Sequence, residues 1–182
     1  MEVSDAEIVS QLSKDHVLSD IVVCSNDEIV THLQLQYGVV NQESGKIEDI
    51  VKGVEHGEAP SPDDQGITCT AKSMLIEGGR VSSLFVRYNT DITQVLFALA
   101  DKSFIKLGLE GGKNNGGPYN FKDSAMFGFR SQSIITTKGV NLASLAPITA
   151  DSQCLLRELW KLDAAKALQT EVNVESLVTF AP

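Results

Sequence analysis

The chain has 182 residues, is 42% hydrophobic, and carries a formal charge of -9 with a sequence pI near 4.7. That length is enough to bury a full core, whereas the acidic balance and scattered Lys and Arg exclude a phosphate-backbone binder, which needs cations gathered on one face. No apolar run approaches the ~20 residues that span a bilayer, so neither nucleic acid nor membrane insertion is expected.

The first segment, residues 1–17, opens on the acidic stretch Met1 to Glu7. It lacks the basic flank and apolar core of a signal peptide, which points to the cytoplasm. Ala6, Ile8, Val9 and Leu12 give it a weak helical spacing, expected to pack over one end of the fold.

The main domain, residues 18–148, is built on an internal repeat. Ser19 to Leu33 aligns without gaps on Ser82 to Leu96, with Ser19/Ser82, Val23/Val86, Asn26/Asn89, Ile29/Ile92 and Leu33/Leu96 identical. A weaker third copy places Phe129 to Gln132 and Ile135-Thr136 on the pattern of Val86 to Asn89 and Ile92-Thr93. Each copy reads as strand, tight turn, strand, because Ile29, Thr31, Leu33, Leu35 and Tyr37 alternate with polar residues at period two, as do Leu84, Val86 and Tyr88. Turns are expected near Asn26, Asn89 and Gln132. The first two contain the Asn and Asp that tolerate left-handed backbone. Further strands are expected at Ile67 to Thr70, Ser73 to Ile76 and Phe104 to Leu107, between turn-rich spacers. A lone hairpin is marginal in water, so three must bury their apolar faces together.

Cys24, Cys69 and Cys154 are odd in number and widely spaced, and read as buried, reduced thiols rather than a disulfide framework or zinc ligands. His16, His32 and His56 are far apart in sequence, show no nucleophile partner and fit no metal spacing. The expectation is therefore no catalytic residue, no metal and no cofactor. Asp27, Glu28 and Asp91 read as solvating turn acids, since Ca²⁺ needs six or more converging oxygens. The loop from Gly111 to Gly117 is the best binding candidate, because glycines admit a ligand close to the backbone and Asn114 and Asn115 donate and accept. It lacks the Gly-Lys-Ser/Thr ending of a phosphate loop. Tyr119 and Phe121 beside it read as core anchors or as stacking platforms.

In the last segment, residues 149–182, Asp151 can cap a helix to Thr170 on which Leu155, Leu159, Leu162 and Ala165 form a stripe flanked by Trp160. Leu155, Leu159, Trp160 and Leu162 are read as packing back on the domain or as docking a protein partner or second subunit.

The order of these pieces resembles the jacalin-related lectins. The strand-turn-strand of Leu18 to Gly38, His56-Gly57 in place of a His-Gly-Gly loop, Gly78-Gly79 to Phe97, the glycine loop before Phe121, and Phe127-Gly128-Phe129 leading to Gly139-Val140 carry the likeness. The resemblance implies an all-β, jacalin-like β-prism of three Greek-key units with pseudo-threefold symmetry, here with a C-terminal α-helix added. Sugar-binding members use an N-terminal glycine loop and a Gly-x-x-x-Asp motif on the last hairpin. In this chain Gln132 and Thr136 take the places of that glycine and aspartate, and Val30 and Thr93 hold the equivalent places in the other hairpins. The implied carbohydrate site comprises Gly111, Gly112, Asn114, Asn115, Gly116, Gly117, Arg130, Ser131, Gln132, Ser133 and Thr136. The functional expectation is a non-enzymatic carbohydrate-binding module of weak or altered specificity with a glycan or glycoprotein partner. The alternative is a protein-interaction module that kept the scaffold and lost the sugar.

Overall fold

The computed structural model describes residues 1–74, 81–121, 125–137 and 139–150. The expected C-terminal helix, with Leu155, Leu159, Trp160, Leu162 and Cys154, lies outside the described residues.

The described chain is almost entirely β. In order it forms β1 (Glu2–Ser4), α1 (Ala6–Gln11), β2 (His16–Ser25), β3 (Val30–Val40), β4 (Ile47–Lys52), β5 (His56–Gly57) and β6 (Thr68–Ser73). There follow β7 (Val81–Tyr88), β8 (Ile92–Leu99), β9 (Phe104–Gly108), β10 (Asn114–Asn120), β11 (Ala125–Thr136) and β12 (Gly139–Ala150). Three sheets result, in the strand orders β4-β3-β2-β6 with β5 beside β3, β10-β7-β8-β9, and β1-β11-β12.

The three share one logic. In the first two sheets a hairpin is extended by the next strand, and a fourth returns beside the first, which is the Greek-key order. β6 pairs β2 and β10 pairs β7 in this role. For the hairpin β11-β12 the place beside β11 is taken by the N-terminal strand β1, with Glu2 opposite Gln132 and Ser4 opposite Arg130. Residues 1–4 thus complete the third unit, and Ile8, Val9 and Leu12 of α1 pack partly buried against the core.

Each sheet sends alternate side chains inward. Tyr37 from β3, Phe97 from β8 and Phe129 from β11 are all fully buried, one from each sheet. The Phe97 and Phe129 rings lie 6.3 Å apart, and the Tyr37 ring stacks on Phe127 at 6.1 Å. The Tyr37 hydroxyl donates to the Phe127 carbonyl at 2.5 Å, so its one polar atom is paired inside the core. Burial, with the Asp5 carboxylate nearby, pushes that hydroxyl well above its ordinary range.

Several expectations are corrected. The third turn is not at Gln132: β11 runs unbroken from Ala125 to Thr136, and its pairing with β12 continues to Thr136 opposite Gly139. The gapless alignment of the first two hairpins also slips by one residue at the turn. Ser25 pairs Val30 but Tyr88 pairs Ile92, so the second turn is one residue shorter. Leu33 therefore corresponds to Val95, and Leu35 to Phe97, all fully buried; Leu96 faces outward, 7% exposed. Asn114 to Gly117 belong to strand β10 rather than to a loop. β10 pairs only β7, and such an edge tolerates the missing N–H of Pro118. Phe121 joins the core, while Tyr119 is 37% exposed.

Cys24 and Cys69 are not free thiols. β6 returns antiparallel to β2 with Cys24 directly opposite Cys69, and the two form a disulfide across 45 residues of chain. Sequence spacing could not show this, because the pairing is created by the Greek-key return.

Candidate functional site

The three hairpin turns gather at one end of the prism. In the first, the Asn26 side-chain oxygen accepts the N–H groups of Glu28 and Ile29, both at 2.8 Å. In the second, the Asn89 N–H donates to the Asp91 carbonyl at 3.2 Å, and the Asn89 side-chain oxygen accepts the Lys113 N–H at 3.0 Å. That bond holds the Gly111-Gly112 loop beside the second turn. In the third, the Thr136 hydroxyl donates to the Gly139 carbonyl at 3.0 Å.

Two carboxylates tie these turns together. Glu58 donates its N–H to the Thr31 carbonyl at 3.0 Å, while its Oε2 accepts the Val140 N–H at 3.2 Å, linking the first sheet to the third hairpin. Gly139 has φ +122°, and an added Cβ would lie 3.1 Å from that Glu58 oxygen, so only glycine lets the turn approach it. Asp91 Oδ2 accepts the Asn141 amide at 3.1 Å, linking the second hairpin to the third.

Between them lies a cavity of ≈ 340 Å³. The first hairpin supplies Asn26, Glu28, Ile29 and Thr31 to its wall, the second Asp91, and the third Gly139 to Asn141. Glu58, Asp64 and Ile67 from the long connection complete it, so among the described residues four carboxylates line the cavity and no Lys or Arg does. Among the described residues, no group of three or more His, Cys, Asp or Glu side chains is placed to hold a metal ion. The lining instead offers carboxylate and amide acceptors to hydroxyl donors.

The expected site residues are not brought together. Gly111 and Gly112 flank the second turn, Asn114 to Gly117 run along β10, and Arg130 to Ser133 lie mid-strand in a different sheet. Arg130 is an exposed partner of Glu2 at 3.5 Å. Gln132 is exposed, and Ser133 is buried with its hydroxyl unpaired. Val30 and Thr93 are buried, Thr93 donating to the Arg87 carbonyl at 3.2 Å. The acids that bond across the turns are Asp91 and Glu58. Asp91, expected as a solvating turn acid, bonds across to Asn141; the sequence holds no signal for Glu58, whose contact depends on a hairpin some eighty residues further along the chain.

Behind the turns is a polar cluster that the sequence did not reveal. Asp5, His56 and Ser131 are essentially unexposed. His56 Nδ1 lies 2.6 Å from the Ser131 hydroxyl and its Nε2 2.9 Å from Asp5 Oδ2. Asp5 also accepts the Val54 N–H at 2.8 Å and the Phe129 N–H at 2.9 Å. The histidine thus has a hydroxyl partner after all. The order Asp-His-Ser matches a hydrolytic triad, but recognition of a triad requires space for a reacting carbonyl beside the hydroxyl. Ser131 is 1% exposed and lines neither this cavity nor the groove described below. The cluster pins the N-terminal strand, β5 and β11 to one another. His16 is likewise engaged, with Nδ1 2.7 Å from the Ser13 hydroxyl and Nε2 2.9 Å from the Asp49 carbonyl. His32 is buried with neither ring nitrogen paired. Burial lowers its pKa and His56 adds to the effect, with Glu55 opposing.

Three sheets packed about a common core, two of them in Greek-key order and the third completed by the N-terminal strand, with hairpin turns converging at one end, define a jacalin-related β-prism fold. Among solved structures the chain is similar to a prostate-specific WGA16 glycoprotein lectin, with 14% identity and a TM-score of 0.53 over 84% of this chain and 91% of that one. It is also similar to jacalin in complex with T-antigen, at 13% identity and TM-score 0.53 over 82% and 98%. Frutalin from Artocarpus incisa, solved with galactose, aligns at 11% identity and TM-score 0.51 over 74% and 92%. No family model and no curated protein matches the chain.

Proposed function

We propose that this chain is a non-catalytic carbohydrate-binding module whose site is the turn-end cavity. The observation that carries the reading is the convergence of three hairpin turns on a pocket lined by four carboxylates, in a fold shared with proteins solved in complex with galactose and T-antigen. Sugar hydroxyls donate to carboxylates, and such charge-assisted bonds are roughly twice as strong as neutral ones. Asp91 and Glu58 are already oriented by Asn141 and Val140, which reduces the ordering cost of binding. Glu28 and Asn26 supply the rim, and Gly111-Gly112 a close-approach edge.

The acid set differs from the Gly-x-x-x-Asp arrangement, so specificity is altered rather than inherited. The glycan partner is a free saccharide or a glycoprotein. A protein partner for Leu155, Leu159, Trp160 and Leu162 remains part of the proposal. Among the described residues no helix is long and apolar enough to cross a membrane. The Cys24–Cys69 bond favours an oxidising compartment over the cytoplasm as the place of action.

A glycan array followed by calorimetry on the best hit tests this. Glu28→Gln and Asp91→Asn are expected to weaken binding at least tenfold each, about 1.4 kcal/mol or more. An array with no hit, or a hit indifferent to both substitutions, contradicts the proposal.

A further inference from the structure

The outer face of the sheet β10-β7-β8-β9 carries a second hollow that the sugar reading does not use. Register builds it. Phe85 lies opposite Leu96 and Leu96 opposite Lys106, so the three share one face. Arg87 is two residues from Phe85 on β7, Phe104 two residues from Lys106 on β9, and Asn115 lies opposite Arg87 on β10. The intervening Leu84, Val86, Ile105 and Leu107 are buried on the core side.

The solvent face of an antiparallel sheet is ordinarily polar. Here Phe104 is 52% exposed and its ring lies 6.3 Å from that of Phe85, tilted by 54°. With Gly117 and Pro118 closing one side, the groove has a volume of ≈ 520 Å³, within the usual range for small-molecule sites. It shares no lining residue with the turn-end cavity.

Charge sharpens the reading. The chain has 24 Asp and Glu against 15 Lys and Arg, so acidic partners abound. Yet neither the Arg87 guanidinium nor the Lys106 ammonium makes an ion pair or side-chain hydrogen bond among the described residues. Two unpaired cations therefore flank an aromatic floor, with Asn115 as the one neutral side chain among the described lining residues able to hydrogen-bond. A polyol would find few partners for its hydroxyls there, and unpaired polar groups are costly to bury.

We propose that this groove is a binding site for a flat, apolar-faced anion, an aryl carboxylate or aryl sulfate. Its ring lies against Phe85, Leu96 and Phe104, and its anionic group is taken by Arg87 and Lys106. A guanidinium accommodates a carboxylate or sulfate through paired N–H donors. The ring covers apolar surface that is otherwise left in water.

The test is calorimetry and amide-shift mapping on the full chain with 2-naphthoate, the neutral 2-naphthalenemethanol, glucuronate and galactose. The expected result is naphthoate binding at least tenfold tighter than the neutral alcohol or glucuronate. Shifts should centre on β7, β8 and β9, and raising salt from about 0.05 to about 0.5 M should weaken the complex. The double variant Arg87→Gln, Lys106→Gln should lose naphthoate binding at least tenfold while keeping its melting temperature. Any saccharide bound at the turns should bind that variant unchanged. The assignment is overturned if no naphthoate binds, if the alcohol binds equally well, or if the double variant retains full affinity. Glucuronate binding as tightly as naphthoate would overturn it too, by making the groove a sugar site.

Discussion

At the residue scale, the strongest constraint is the Asp5 carboxylate. Fully buried, it satisfies His56 and two backbone N–H groups, so removing it leaves three donors unpaired. Asp5→Ala is expected to cost about 3–5 kcal/mol in urea unfolding, the range for breaking a buried polar pair from one side. Asp5→Asn, which keeps an acceptor oxygen, should cost less. Equal stability of wild type and Asp5→Ala would show that the cluster is incidental. His32 makes the opposite prediction. Its folded pKa lies below the ordinary 6.5, so the unfolded chain binds the proton more readily and stability declines as pH falls below about 6.5. His32→Leu removes two unpaired nitrogens and should shallow that decline between pH 7.5 and 5, with no loss of stability at pH 7.5. A parallel decline in the variant would assign the acid sensitivity elsewhere. His56-Gly57 was legible as a motif, but its partners were not, because Asp5 and Ser131 reach it from opposite ends of the chain.

At the element scale, the sequence revealed the hairpins through their period-two alternation and their Asn turns. The first two turns stand where Asn26 and Asn89 predict them. The third is misplaced because the copy at Phe129 to Gln132 and Ile135-Thr136 lies within a single strand, with Arg130 to Gln132 opposite β1. A one-residue turn difference likewise made Leu33 and Leu96 look equivalent, although a shift of one reverses the face of every side chain. The return strand β6 was legible in part, as the strand expected at Ile67 to Thr70, but its pairing with β2 and its disulfide were not. Closing a loop of 45 residues is worth about 4 kcal/mol by chain entropy. Cys24→Ala with Cys69→Ala is therefore expected to lower unfolding stability by that order. Mass spectrometry of the oxidised protein should show the 24–69 peptide pair, and two free thiols at these positions would contradict the structure.

At the scale of the whole molecule, the three sheets bury Tyr37, Phe97 and the pair Phe127 and Phe129 in one core, and this leaves the turns free to meet at one end. The repeat in the sequence implies that arrangement, because identical units with one apolar face can bury it only against one another. What it could not imply is which acids the convergence brings together. Asp91, Glu58 and Asn141 come from three separate parts of the chain and become neighbours only when all three sheets close. The central claim is that this convergence binds sugar, and residue-resolved NMR titration with methyl galactoside and methyl mannoside tests it most directly. Saturable shifts confined to residues 26–31, 89–91 and 139–141 together with Glu58 are expected, and their loss in Asp91→Asn. Shifts absent from all three turns, or a saccharide that perturbs only residues remote from them, would contradict it.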